Sequence, residues 1–125
     1  MSDFSTDALL EAVRNASRAW KKAFNRGDAA GCAAAYEATA VMTASPFGRF
    51  EGRAAIQAFW QQIIDQGFGE IEYLDPVLTP LDDHQVLLSS GWRMNNAHGV
   101  ITRELWVLQA DGKARLREDA FEVQG

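Results

Sequence analysis

The chain contains a single cysteine, Cys32, among 125 residues, so no intrachain disulfide can form. Cys32 lies in an alanine-rich helical stretch, where a small buried core residue is a better account of it than a nucleophile. Histidine is almost as scarce. His84 and His98 are the two present, and they lack the paired spacing or accompanying cysteines of a metal site, so no metal is expected. His84 follows Asp82 and Asp83 at a strand start, and His98 sits in a turn beside Gly99; both suit solvated side chains. Positive charge is in deficit too: 12 Lys and Arg stand against 17 Asp and Glu, a net charge of -5. The basic residues are scattered, whereas a nucleic-acid groove needs a basic stripe to neutralise phosphates. An acidic surface is also repelled by anionic lipid. No apolar run approaches the ~20 residues that span a bilayer. The start, Met1 to Thr6, has no basic segment followed by an apolar run. Neither nucleic acid nor membrane is therefore expected as a partner, and a cytoplasmic location is. No Gly-rich phosphate loop, nucleophilic triad or dinucleotide fingerprint occurs either, so no cofactor is expected.

What the chain does have is apolar bulk: 47% hydrophobic residues, including four tryptophans and seven phenylalanines, enough for one core in one domain over residues 1–125. Ser5, Thr6 and Asp7 can cap a first helix, in which Leu9, Val13, Ala16, Trp20 and Phe24 recur at spacings of three and four. Gly27 stops that helix, and Asp28 can cap a short second one running to about Tyr36. A short β-like stretch, Ala40 to Ala44, is followed by the turn Ser45-Pro46-Phe47-Gly48 and a brief return at Arg49 and Phe50. Gly52 precedes a third helix with Ile56, Phe59, Trp60, Ile63 and Ile64 on one face, closed by Gly67. Beyond it, Glu70 to Leu78 (broken at Pro76), His84 to Met94, Val100 to Gln109 and Ala114 to Val123 read as strands. Asp111-Gly112 is a strong hairpin signal between the last two. Helices segregated against a mainly antiparallel sheet give an α+β class.

Several stretches carry a family pattern in the right order. Trp20-Lys21-Lys22-Ala23-Phe24-Asn25-Arg26-Gly27-Asp28 contains an "N-x-G-D" helix junction. Tyr36 through Val41 fits a helix-to-strand passage. Phe50-Glu51-Gly52-Arg53-Ala54-Ala55-Ile56 with Phe59-Trp60 is similar to an "x-G-R-x-A-I-x-x-F-W" helix start. Leu105-Trp106-Val107-Leu108 and Arg117-Glu118-Asp119-Ala120-Phe121 resemble closing strands. Over nearly its whole length the chain resembles the SnoaL-like, ketosteroid isomerase-like branch of the nuclear transport factor 2-like superfamily. The resemblance implies a cystatin-like cone: a curved, mainly antiparallel sheet with three helices from the N-terminal half packed over its concave face. It also implies a homodimer through the outer sheet face, where Trp92 and Met94 would lie. The fold hosts isomerases, dehydratases, cyclases and pure binding modules, so function has to be argued from residues.

Ketosteroid isomerase-like relatives place a carboxylate base just before the proline of the first hairpin; here Ala44 and Ser45 stand there. A serine hydroxyl without an imidazole cannot take a carbon-bound proton at neutral pH. Their phenol donor corresponds to Trp20, which has no phenol. Their second pocket acid aligns with Glu104. If Glu104 faces inward, alternation places Thr102, Trp106 and Leu108 with it, and Arg117, Asp119 and Phe121 on the next strand, with Arg93 joining them. This cluster is either a structural ion-pair network or a ligand and acid/base site. Asp119 is the preferred general acid/base, with Glu104 beside it, since polyketide-cyclase relatives are similar in using an inward acid from the late strands. Arg117 would hold an anionic oxygen, and Trp20, Phe24, Tyr36, Trp60, Trp106 and Phe121 would wall a pocket for a small organic molecule. Two functions stay open: a cofactor-independent proton-transfer enzyme (isomerase, cyclase or dehydratase type), and a non-catalytic dimeric binding or association module.

Overall fold

The computed structural model describes the backbone of residues 2–125 and the side chains of residues 6–125. Three helices, α1 (Ser2–Asn25), α2 (Ala29–Ala34) and α3 (Arg53–Asp65), accompany six strands: β1 (Tyr36–Ser45), β2 (Gly48–Glu51), β3 (Glu72–Pro80), β4 (Gln85–Arg93), β5 (His98–Leu108) and β6 (Ala114–Val123). The strands form one curved sheet in the order β2-β1-β6-β5-β4-β3. Every neighbouring pair is antiparallel except β1 and β6, which run parallel. This is the α+β architecture expected. No described helix is long and apolar enough to cross a membrane.

Helix α1 buries Leu9, Val13, Trp20 and Phe24, as its periodicity requires, together with Ser17 in place of the half-buried Ala16. It begins at Ser2, so Thr6 and Asp7 lie within it rather than capping it; the side chain of Ser5 lies outside the described residues. Gly27 ends the chain's first turn out of the helix at φ 77°, and the Asp28 carboxylate accepts the Gly31 N–H at 2.9 Å, capping α2. Helix α2 stops at Ala34, short of the expected Tyr36. The Tyr36 backbone is claimed by the sheet instead: it pairs with Leu116, and its carbonyl accepts two hydrogen bonds from Arg53, at 3.1 and 2.6 Å. Helix α3 buries Ile56, Phe59, Trp60 and Ile63 against the concave face. The break at Pro76 is a register shift between Leu74 and Val77, with Asp75 at φ 56°.

Two irregularities in the β5–β6 ladder matter most for the site. Ile101 pairs with Phe121 and Arg103 with Ala120, leaving Thr102 as an extra residue on β5. Leu105 pairs with Glu118 and Trp106 with Leu116, leaving Arg117 as an extra residue on β6. The Thr102 bulge also shifts β4, where Leu88 faces Glu104 but Ser90 faces Ile101. Because side chains alternate with period two, each extra residue reverses which face the following residues present.

Gly27 offers a direct check on the α1–α2 junction. A Cβ there would meet Ile64 Cγ2 at an ordinary 3.6 Å, so the penalty is backbone strain alone. Gly27→Ala is expected to lower unfolding free energy by about 1 kcal/mol in urea titrations; an unchanged midpoint would show that this turn does not need the left-handed conformation.

Candidate functional site

Glu104 and Asp119 face each other across β5 and β6, and both are almost fully buried, at 3% and 5% exposure. Each is held by an aromatic donor. The Tyr36 hydroxyl donates to Asp119 Oδ2 at 2.6 Å, and the Trp60 indole N–H donates in turn to the Tyr36 oxygen at 3.3 Å. The Trp106 indole N–H donates to Glu104 Oε1 at 2.8 Å, and the Tyr73 hydroxyl to Glu104 Oε2 at 2.9 Å. Asp119 Oδ1 receives no hydrogen bond among the described residues. The two acids open onto a cavity of about 20 Å³, room for about one water, walled by Trp20, Trp60, Trp92 and Phe121. A second cavity of about 40 Å³ adjoins it and shares Trp60, Trp92, Met94 and Phe121. The walls lock one another: Trp60 stacks on Phe121 at 5.7 Å and meets Trp20 edge-on at 5.1 Å.

Burial drives the electrostatics. It pushes the Glu104 carboxyl up to about 8, with the neighbouring Asp119 charge adding to the rise; the hydrogen bonds from Trp106 and Tyr73 favour the anion but are outweighed. Burial pushes Asp119 up to about 6 against the opposing hydrogen bond from Tyr36. The Tyr36 phenol, also buried, is held well above its usual range, so it remains a donor. The two acids titrate as a pair, and near neutral pH the pair carries about one negative charge, an arrangement suited to giving and taking a proton.

The sequence expectation placed Trp20, Trp60, Glu104, Asp119 and Phe121 in one pocket, and they do share one cavity. Tyr36 and Trp106 stand just behind it as the donors to the acids, and Phe24 lies under Trp20, stacked at 5.4 Å. Arg93 and Arg117 do not join them. Arg117 is the extra residue of the β6 bulge and points outward to Glu37, 2.7 Å away; Arg93 lies outward beside Glu72 at 2.9 Å. The Thr102 bulge reverses the parity that would have brought Arg93 in, and for the same reason Trp92 turns inward to the cavity and Met94 lines it, rather than the outer face. Thr102 is exposed, and its hydroxyl donates to the Ala120 carbonyl at 3.2 Å. The acids are thus paired with phenols and indoles, not with guanidinium groups. Sequence reasoning misses Tyr73 and Trp92; the apolar residues Ile71 and Tyr73, two positions apart in the chain, are the one trace of the first. His84 and His98 are exposed, and Cys32 is buried with its thiol pushed up to about 12, which leaves it inert. Among the described residues no group of three His, Cys, Asp or Glu side chains is placed to hold a metal ion.

Both site carboxyls bind protons more tightly in the folded chain than in the unfolded one. Their contribution to stability is therefore complete below about pH 4 and is lost as pH rises through about 6 and about 8. Raising pH from 6 to 9 should lower the melting temperature by roughly 5 °C or more, and Glu104→Gln should remove most of that dependence. A wild-type melting temperature flat over this range would show that the pair is not buried as described.

Residues 17–74 match the SnoaL-like domain family. No curated protein matches the chain in sequence. Among solved structures, a scytalone dehydratase-like protein from Novosphingobium aromaticivorans superposes with a TM-score of 0.82 at 12% identity, covering 100% of this chain and 89% of that one. A ketosteroid isomerase-like protein from Erwinia carotovora atroseptica gives 0.79 at 15% identity, covering 93% and 96%. A nuclear transport factor 2-like protein of unknown function from Pseudomonas putida gives 0.79 at 17%, covering 94% and 87%. At these identities the structures establish the fold, a cystatin-like, nuclear transport factor 2-like one, and within it residues 17–74 carry the likeness to the SnoaL-like domain.

Proposed function

We propose that this protein binds a small, partly apolar organic molecule in its cone and moves a proton on it, in a reaction of isomerase, cyclase or dehydratase type. The observation that carries this reading is the pair of opposed acids, Glu104 and Asp119, sharing about one charge inside an aromatic cavity. Asp119, lower in pKa and with Oδ1 free of donors among the described residues, is the base for a proton on carbon next to a carbonyl. Protonated Glu104 gives a hydrogen bond to the oxygen on which negative charge develops. The Tyr36 hydroxyl fixes the Asp119 carboxylate, and Tyr73 and Trp106 fix Glu104. Such a transfer requires no cofactor. The scytalone dehydratase-like and ketosteroid isomerase-like neighbours share the fold, which lends support to a reaction of this type. A substrate larger than water would enter by displacing Met94, a flexible side chain at the junction of the two cavities.

Proton transfer can be read without knowing the natural substrate. Incubated in D2O with a panel of small enolisable ketones, the wild type should incorporate deuterium at the α-carbon of at least one, followed by NMR. Asp119→Asn should slow that exchange by ~100-fold or more. Exchange no faster than buffer across the panel, or equal in the variant, would rule out Asp119 as the base.

A second feature favours association of two copies through the outer sheet face. Leu74 and Val77, at 39% and 57% exposure, stand on that face beside the half-buried Leu87. Light scattering coupled to gel filtration should give a dimer for the wild type and a monomer for Val77→Lys. A wild-type monomer would remove this assembly.

A further inference from the structure

Helix α1 presents three cations in succession, Arg14, Arg18 and Lys21, along one side. They line a groove of about 360 Å³ between α1 and the concave side of β3 and β4, where Leu10, Leu78 and Leu88 form an apolar floor. A cationic helix face is ordinarily relieved by carboxylates three or four residues away or across a strand. Here Glu11 stands three residues before Arg14, and Arg18 donates to the Asn15 side-chain oxygen at 3.1 Å, but no carboxylate closes on the three cations among the described residues. Among the described residues none of the three makes an ion pair, whereas Arg26, Arg49, Arg93, Arg103, Arg115 and Arg117 each have one. In a chain of net charge -5, three like charges gathered over apolar side chains form a local field of the opposite sign.

The groove is also built, not merely charged. Lys21 is half-buried, its ammonium 4.7 Å from the centre of the Tyr73 ring, and burial lowers its pKa. Ser17, only 6% exposed, adds a hydroxyl to the lining, and Pro76 at the β3 bulge shapes the opposite rim. The volume suits a small molecule. Guanidinium forks at Arg14 and Arg18 match the planar two-oxygen geometry of a carboxylate, and Lys21 supplies a compact third charge. Tyr73 is common to this groove and to the acid cavity, and forms the wall between them.

We propose that the groove between α1 and β3–β4 is a binding site for a small amphipathic organic acid, its carboxylate held by Arg14, Arg18 and Lys21 and its apolar part lying on Leu10, Leu78 and Leu88. The site is separate from the Glu104–Asp119 cavity and does not depend on that pair being catalytic.

Octanoate serves as the probe, titrated calorimetrically into the full chain at low ionic strength, with octanol and acetate as comparisons. One octanoate should bind per chain, at least 10-fold more tightly than octanol, which lacks the charge, or acetate, which lacks the chain. The double variant Arg14→Gln/Arg18→Gln changes two exposed side chains and should weaken octanoate binding 10-fold or more, while Arg93→Gln, on the outer face, should leave it unchanged. Asp119→Asn should also retain it, which keeps this result independent of the deuterium-exchange test. Absence of saturable octanoate binding overturns the proposal. So does equal affinity for octanol, or octanoate binding that survives in the double variant, since either would place the probe in another apolar cavity.

Discussion

The contents of the cone depend on two residues that have no partner in the β5–β6 ladder. Thr102 on β5 and Arg117 on β6 each insert one position into an alternation that otherwise repeats every second residue. Between them, Glu104 and Asp119 meet directly, and beyond them Ile101 with Phe121 and Trp106 with Leu116 still face inward. A strict alternation through Arg117 would have driven a guanidinium into the core and turned Leu116 out. The bulge leaves Arg117 outside on Glu37 and keeps the layer under the acids apolar. That apolar layer is what raises both carboxyl pKa values, so the electrostatics of the site follow from strand register.

The acids are left with donors that carry no formal charge. A guanidinium beside Asp119 would have held it ionised and well below neutral pH, as in an ordinary buried ion pair. A phenol and an indole give hydrogen bonds of good length without supplying a counter-charge. They orient the carboxyls while leaving burial to set their protonation. The ion pairs of the outer face, such as Arg103 with Glu118 and Arg93 with Glu72, are solvent-exposed and contribute little to stability.

Much of this architecture was legible in the sequence. Gly27 and Asp28 marked the α1–α2 junction, the three-and-four spacing of Ile56, Phe59, Trp60 and Ile63 marked α3, and Asp111-Gly112 marked the last hairpin. The family resemblance points to Glu104 as a pocket acid, and alternation from it leads to Asp119 because the stretch between the bulges keeps a simple period of two. Arg93, Arg117, Trp92 and Met94 were assigned to the wrong faces because a bulge at Thr102 or Arg117 has no compositional mark: neither residue is a glycine, and both are unremarkable in a strand. Tyr36 was expected at a helix end because local spacing cannot reveal Arg53, which fastens its carbonyl from 17 residues away. Parity and long-range anchoring belong to the assembled sheet, and local sequence pattern carries neither.

The parallel pairing of β1 with β6 has a consequence for how the chain reaches this state. Every other strand pair joins neighbours in sequence, whereas β1 must wait for β6, the sixth of these strands. Tyr36 and Asp119, separated by 83 positions, come together only at that closure. Contacts of such long sequence separation are entropically late and slow folding. During synthesis on the ribosome, α1 to α3 would therefore emerge with the aromatic face of α3 and one edge of β1 still uncovered. The Tyr36–Asp119 contact is completed in the same event that seals that edge, so a chain with its acid site assembled is also one whose six-stranded sheet has closed.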